Sequence, residues 1–394
     1  MGLLHYTCPP IIGGVETILL EQARRLHDRG YPVTVFAGRG GPLDPEGPTL
    51  VLIPEIDSRR SATGSSDVMR RLDASLTEHE CDVLIVHNAL TLHFNLDLTA
   101  ALFEIAGRVR PRLVSWVHDL SWTNPLYRSL MGPEEPYTLL RRHHPAIQTV
   151  CVSEQRRREW LEISGAPAQS ARVIPNGIDP LALLQVGERT RDLVRRLRLM
   201  EADAILLAPV RITRRKNLEW AIDAAAALRA RGRSVRLLVT GPPGPHDAQS
   251  MGYVEELRER SKSLGLEDGV AFLFEVVPPS GPGYPVDAAM LKDLYMLSDV
   301  VVLPSAGEGF GLPLAEAAIF KTPVVCSDLP AFREVGVEDA RFVSLAGGTS
   351  AFTSAVEAAL DSPTARGRRR VLARLSWDRI VRDQLEPLIQ SLKA

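Results

Sequence analysis

The sequence predicts an α/β protein built as two Rossmann-like, doubly wound domains in series, facing each other across a cleft. Three observations predict it. Short β-branched or apolar runs alternate with longer amphipathic helical patterns along the chain, and that alternation reads as a mostly parallel sheet with helices on both faces. The alternation then restarts as a second set of similar size. Between the two sets lies VIPNGIDP, residues 173–180, rich in turn formers.

In the first set the strands are expected at 2–6 (GLLHY), 32–37 (PVTVFA), 50–53 (LVLI), 82–87 (DVLIVH), 112–118 (RLVSWVH) and 148–152 (QTVCV). Helices are expected at 15–29, stopped by Gly30, and at 97–107. In the second set strands are expected at 204–210, 235–240, 270–274, 299–303, 323–326 and 341–343, with helices at 217–231, 251–264, 288–297, 312–319 and 350–360. The domains are placed at 1–172 and 173–375, with an amphipathic helix at 376–394 packing back on the first. In open α/β sheets ligands sit outside the carboxyl ends of the strands. The residues that follow strands therefore carry the chemistry.

Composition excludes several classes. A net charge of −2 is unlike the strongly basic domains that bind nucleic acid. The four cysteines, Cys8, Cys81, Cys151 and Cys326, are scattered without a CxxC pair, which fits a reduced, cytoplasmic compartment. No basic-then-apolar leader is visible at the start, and no run of about 18 apolar residues predicts a transmembrane helix; a peripheral membrane contact stays open. The spacing G-x-G-x-x-G is absent, which disfavours a nicotinamide dehydrogenase. Of 46 basic residues only five are lysines, so Lys216 draws attention.

The segment DVVVLPSAGEGFGLPLAE, 299–316, reads as strand, glycine loop and helix start. Glycines such as Gly309 and Gly311 let the backbone approach a ligand. The amides around Phe310, Gly311 and Leu312, with the helix dipole, favour an anion such as a phosphate. Glu308 in the loop and Glu316 a turn into the helix only accept hydrogen bonds, which suits vicinal hydroxyls; equally, they read as solvent-exposed acids near a helix N-terminus. PVRITRRKN, 209–217, puts Arg211 and Lys216 after another strand. Two such cations suit a diphosphate, although a solvated basic turn reads the same way. PPIIGGVE, 9–16, puts Gly13 and Gly14 between a strand and a helix, where they permit a tight turn. VSWVHDL puts His118 and Asp119 at a strand end. Gly241 closes RLLVTG. Ser153 in VCVSE reads as a helix cap, Asn176–Gly177 as a turn in left-handed conformations, and Arg141, Arg142, His143 and His144 as a solvated helix end or an anionic-acceptor patch.

The string EGFGLPLAEA resembles the signature of the retaining, two-domain glycosyltransferases of family 4, group 1, which have the GT-B fold. By that resemblance Glu308 meets the donor sugar, Glu316 the nucleotide ribose, and the amides at 310–312 the diphosphate. Arg211 and Lys216 match the family's Arg-Leu-x-x-x-Lys element, with Ile212 in place of Leu. Gly13–Gly14 face donor phosphate or acceptor, His118 lies beside the donor sugar, and Gly241 lies near the nucleotide. Ser153 and Glu154 match a Ser-Glu step, and Asn176–Gly177 the family's domain junction. The likeness spans about residues 2–390, and the segment 272–290 departs from it by being longer and rich in Pro and Gly.

The implied activity is transfer of a hexose from a UDP- or GDP-sugar to a hydroxyl acceptor, a small polar molecule or a glycan, with retention of configuration. The N-terminal domain would bind acceptor and the C-terminal domain nucleotide sugar. No Asp-x-Asp occurs in the chain, and the cations are expected to do the work of a divalent metal, so no metal or other cofactor is expected. A sugar-nucleotide epimerase or hydrolase on the same scaffold is the alternative. A non-catalytic relative would be expected to lack a charged site residue, and none is missing. The base, the sugar, the acceptor and the oligomeric state are not legible.

Overall fold

Among the described residues every strand pairing is parallel, as crossover helices between successive strands require. The computed structural model describes residues 1–58, 64–244, 250–276 and 286–393. Its contacts divide into two units, Met1–Ile178 with Leu375–Ala394, and Asp179–Arg374.

The first unit carries β1 (Gly2–Thr7), β2 (Thr34–Arg39), β3 (Thr49–Leu52), β4 (Val83–His87), β5 (Arg112–Val117), β6 (Ile147–Cys151) and β7 (Ala171–Val173). They lie in the order β3-β2-β1-β4-β5-β6-β7. The direction of winding reverses between β1 and β4, where Leu3 lies between Val35 and Ile85. The helix Gly14–His27 buries Leu19, Ala23 and Leu26 against the sheet, and Gly30 takes the left-handed φ of 83° just beyond it.

The second unit carries β8 (Ala204–Ala208), β9 (Val235–Val239), β10 (Val270–Phe272), β11 (Val300–Leu303), β12 (Val324–Ser327) and β13 (Arg341–Val343), in the order β10-β9-β8-β11-β12-β13. Its switch point lies between β8 and β11. The residues of β8 and β11 are all buried, because helices cover both faces of a parallel sheet and leave no polar side. Each buried Leu or Val there contributes about 1.5–3 kcal/mol relative to exposure.

Several expectations change. The boundary falls after Ile178 rather than 172, because β7 pairs with β6 and Ile178 is tied to the returning chain: its N–H donates to Leu375 at 2.7 Å and its carbonyl accepts from Trp377 at 3.1 Å. Neither Asn176 nor Gly177 is left-handed. Gly177 is glycine for another reason: a Cβ there would lie 2.3 Å from the buried Trp377 ring. The strand expected at 270–274 ends at Phe272, and Leu273–Val276 turns helical. Most of the unusual segment that follows, 277–285, lies outside the described residues. The sequence reading missed β7 and the helix Ser65–Glu78. The C-terminal helical run Trp377–Lys393 includes a π-turn at Val381–Leu385 and buries Trp377, Ile380, Val381 and Leu388 in the first unit's core.

Candidate functional site

In the second unit the loops after β8 and β11 meet at the switch point. The Ala306 N–H donates to the Arg215 carbonyl at 2.7 Å, and the Arg215 guanidinium donates to the Gly307 carbonyl at 3.3 Å. This docking brings Lys216 Nζ onto Glu308 Oε2 as an ion pair. Their side chains are only 9% and 12% exposed, so the solvated readings of both residues fail. Burial alone would raise the Glu308 pKa. The Lys216 hydrogen bond, the Gly309 amide and the charges of Lys216 and Arg215 together pull it below the ordinary carboxylate value. Glu308 is thus a held, charged acceptor.

The helix Leu312–Ile319 starts next to this pair. Its N-cap, Gly311, has φ 103°, and a Cβ there would sit 2.7 Å from the Phe332 ring; conformation and space both demand glycine. The space around Gly307 and Gly309 is open. Among the described residues the amides of Phe310, Gly311 and Leu312 make no hydrogen bond, and Phe310 and Leu312 are exposed. Helix-start amides without a partner favour an anion. Glu316, one turn on, accepts from the Tyr295 hydroxyl at 2.7 Å.

Arg211 is exposed on the loop after β8. Gly241 lies against its backbone: a Cβ on Gly241 would meet the Val210 carbonyl at 2.5 Å and Arg211 Cα at 2.6 Å. Gly241 therefore sets the path of the Arg211 loop. Arg214 is structural, paired with Glu256 and stacked 5.0 Å over the Tyr253 ring. The sequence reading did not single out Arg215, Thr213 or Ser305. The hydroxyls of these last two, on the same two loops, are buried without a hydrogen-bond partner among the described residues, a state that ordinarily costs about 1–3 kcal/mol each.

The first unit gathers a second polar cluster at its own switch point. His5 Nδ1 donates to the His87 carbonyl, 3.0 Å away, joining β1 to β4. His87 Nδ1 and His118 Nε2 are 3.0 Å apart with the rings stacked. Burial holds the His118 pKa down at about 3, helped by the charge of His5, and holds His87 far below its ordinary value. Both rings are neutral, so one nitrogen of the pair donates and the other accepts. His118 Nδ1 faces Asn176 Nδ2 at 3.5 Å. With Nε2 committed to His87, Nδ1 keeps only the long Asn176 contact. Asn88, left-handed at φ 60°, accepts from the N–H groups of His118 at 2.9 Å and Asp119 at 3.2 Å. Asp119 props its loop through Leu120 and Arg156.

Gly13 is the N-cap of the first helix and Gly14 its first residue, and neither adopts a positive φ. The room at Gly13 is taken by Glu16, whose Oε2 lies 2.0 Å from where a Cβ would be. Glu16 Oε1 accepts from Thr7 at 2.6 Å and lies 4.0 Å from His5 Nε2. His5, Glu16, His87 and Asn88 were all unforeseen. Ser153 caps the helix Glu154–Ser164 by accepting from Arg156 at 3.2 Å. Arg141 lies 4.2 Å over the Trp122 ring and Arg142 pairs with Glu135, so both have structural partners.

Among curated proteins, the chain is 27% identical to a D-inositol 3-phosphate glycosyltransferase of Gordonia bronchialis, over 97% of this chain and 85% of the relative. It is 29% identical to the protein of the same name from Nocardiopsis dassonvillei, over 80% and 73%. It is 33% identical to mannosylfructose-phosphate synthase of Agrobacterium fabrum, over 42% and 34%. Two family descriptions match consecutive stretches: Glycosyltransferase Family 4 over residues 12–180, and Glycosyl transferases group 1 over residues 203–362. The chain is a glycosyltransferase and belongs to family 4, group 1.

Proposed function

We propose that this enzyme is a retaining hexosyltransferase that takes its sugar from a UDP- or GDP-sugar held by the second unit. The observation that carries the reading is the buried Lys216–Glu308 pair beside the unused amides of residues 310–312. Departure of the nucleotide leaves negative charge on the diphosphate. The fold holds Lys216 and the helix-start amides together, Arg211 stands on the adjoining loop to meet that charge, and preorganised charge of this kind is usually the largest catalytic contribution. Glu308, its charge secured by Lys216, accepts from the sugar hydroxyls. Glu316 takes the ribose. His118 offers Nδ1 to the transferred sugar, and Gly13–Gly14 shape the loop beside it.

In the retaining course the acceptor hydroxyl attacks from the side of the departing phosphate. The new glycosidic bond forms as the sugar–phosphate bond breaks, and the acceptor proton passes to the phosphate oxygen. His118 stays neutral and is not the base. The cations stand in for a divalent metal, so turnover persists in a chelator. The acceptor is a small polyhydroxylated molecule met by the first unit. The names of the relatives, D-inositol 3-phosphate glycosyltransferase and mannosylfructose-phosphate synthase, support a polyol or sugar phosphate. No helix of the described residues is long and apolar enough to cross a membrane. We place the enzyme in the cytoplasm, which suits four buried, free cysteines.

The test is a thermal-shift screen of UDP-, GDP- and ADP-sugars in EDTA, then acceptor trials with the donor that stabilises, reading the product's anomeric configuration by NMR. A shift with one nucleotide sugar and an axial product from an axial donor are expected. No shift with any of them, or an inverted product, sinks the proposal.

A further inference from the structure

Glu316 does not stand alone at the end of its helix turn. A tyrosine from a different element holds it. Tyr295 lies on the helix Ala288–Leu297, is 1% exposed, and stacks face to face on Phe320 with ring centroids 5.4 Å apart. The Thr322 hydroxyl donates to the Tyr295 carbonyl at 2.9 Å and fixes the backbone of that turn. Ring and main chain are thus both clamped. The one polar atom of the side chain reaches Glu316 Oε2 at 2.7 Å, and a more distant contact to the Pro313 carbonyl is 3.5 Å.

A carboxylate oxygen only accepts, so the tyrosine donates. Burial and the neighbouring carboxylate push the Tyr295 pKa far up, so it remains a donor across the working range. Among the described residues Glu316 Oε1 makes no hydrogen bond. The carboxylate is thereby split into one oxygen spent on the protein and one oxygen left for a ligand.

From this geometry we infer that Tyr295 is a positioning residue for nucleotide recognition: it pins Glu316 Oε2 so that Oε1 alone faces the ribose, making the site selective for ribonucleotides. The inference rests on the assignment of Glu316 to the ribose in the proposed function. A freely rotating carboxylate accepts hydroxyls in many orientations. A pinned one accepts in a single direction, and the ordering is complete before the ligand arrives. A donor lacking the contacted hydroxyl then leaves a partly buried charged oxygen unpaired, which is costly.

The experiment is calorimetric binding of UDP and GDP and their 2′-deoxy and 3′-deoxy counterparts to the wild type, Tyr295→Phe, Glu316→Ala and the double variant, with donor KM and kcat measured alongside. Wild type should prefer the ribonucleotide over one deoxy form by about tenfold or more, the range for a hydrogen bond to a charged group. Tyr295→Phe should lose most of that preference and raise donor KM, with kcat changed far less. In the Glu316→Ala background, adding Tyr295→Phe should change nothing further. A merely structural Tyr295 would weaken all nucleotides equally. Retention of the wild-type preference in Tyr295→Phe, or an equal loss in the Glu316→Ala background, overturns the inference. Tight binding by wild type without any ribose preference overturns the Glu316 assignment and this inference with it, while leaving a nucleotide-sugar donor intact. Binding of neither nucleotide overturns the donor reading itself.

Discussion

The two units place polar clusters at the same point of the same topology, yet they are built differently. In the second unit Glu308, Gly311 and Glu316 lie on one continuous strand–loop–helix segment, and Lys216 joins them from one neighbouring loop. In the first unit His5 and His87 come from two strands, Asn88 and His118 from the loops after β4 and β5, and Glu16 from a helix, and they meet through sheet register. The charged pair of the second unit is suited to a charged ligand. The first unit keeps its histidines neutral by burying them, which suits neutral hydroxyls. The difference teaches that one fold feature, the switch point, supports either kind of chemistry according to what is buried there.

The hardest test of this contrast is to remove the charge that defines the second site. Lys216→Ala takes the cation from a buried pair and leaves Glu308 only the Arg215 guanidinium, 3.6 Å away, and the Gly309 amide. Turnover should fall by about a thousandfold, the scale for losing a preorganised group at developing charge, with the circular dichroism spectrum unchanged. Activity within about tenfold of wild type would show that the pair only fastens two loops. Next in size is Gly311→Ala. Its φ of 103° and the Phe332 ring 2.7 Å from the new Cβ should together cost about 2 kcal/mol or more, read as a lowered Tm. Nucleotide binding should weaken as well, because the helix start carries the anion site.

What was legible follows from the same contrast. The order of elements, the strands β8 and β11, and the motif from Glu308 to Glu316 could be read because their determinants are local: apolar runs, glycines and a helix start within one segment. β7 could not, being three residues long with no apolar run of its own. Glu16, His5 and His87 could not either, since each looks ordinary in its segment and matters only once β1 lies beside β4 and β4 beside β5. Gly13 was read as a flexible turn, while its role depends on where the Glu16 side chain folds back. Tyr295 was invisible for the same reason: nothing in DLYMLSD states that its hydroxyl will meet a carboxylate 21 residues later.

The neutral cluster makes its own prediction. His118 titrates near 3 in the folded protein and near about 6.5 when unfolded. Between those values the unfolded chain binds a proton that the folded chain does not, so stability rises with pH across the window and falls as pH drops through it. Urea midpoints at pH 7, 6 and 5 should therefore decline, and His118→Asn should flatten the decline. An unchanged slope would mean that His118 is charged in the folded protein, and the contrast between a neutral and a charged site would break. Donor kcat/KM should show no limb near pH 6–7 from this ring.

The smallest expected effect lies at Ser153, where resemblance and geometry give different weights. The resemblance places the Ser153–Glu154 step after a strand that ends near the first site. The structure gives the Ser153 hydroxyl a complete task, accepting the Arg156 amide at the start of its helix. Ser153→Ala should cost about 1 kcal/mol of stability as a lost cap, and Ser153→Asp, which caps equally well, should restore it. Donor KM and kcat should stay within about twofold in both, the scatter of a substitution outside a site. If instead activity falls in both variants while stability is restored by Asp, the hydroxyl itself touches substrate. The first unit's cluster then extends from β5 across to β6, and its acceptor is larger than the histidines alone would hold.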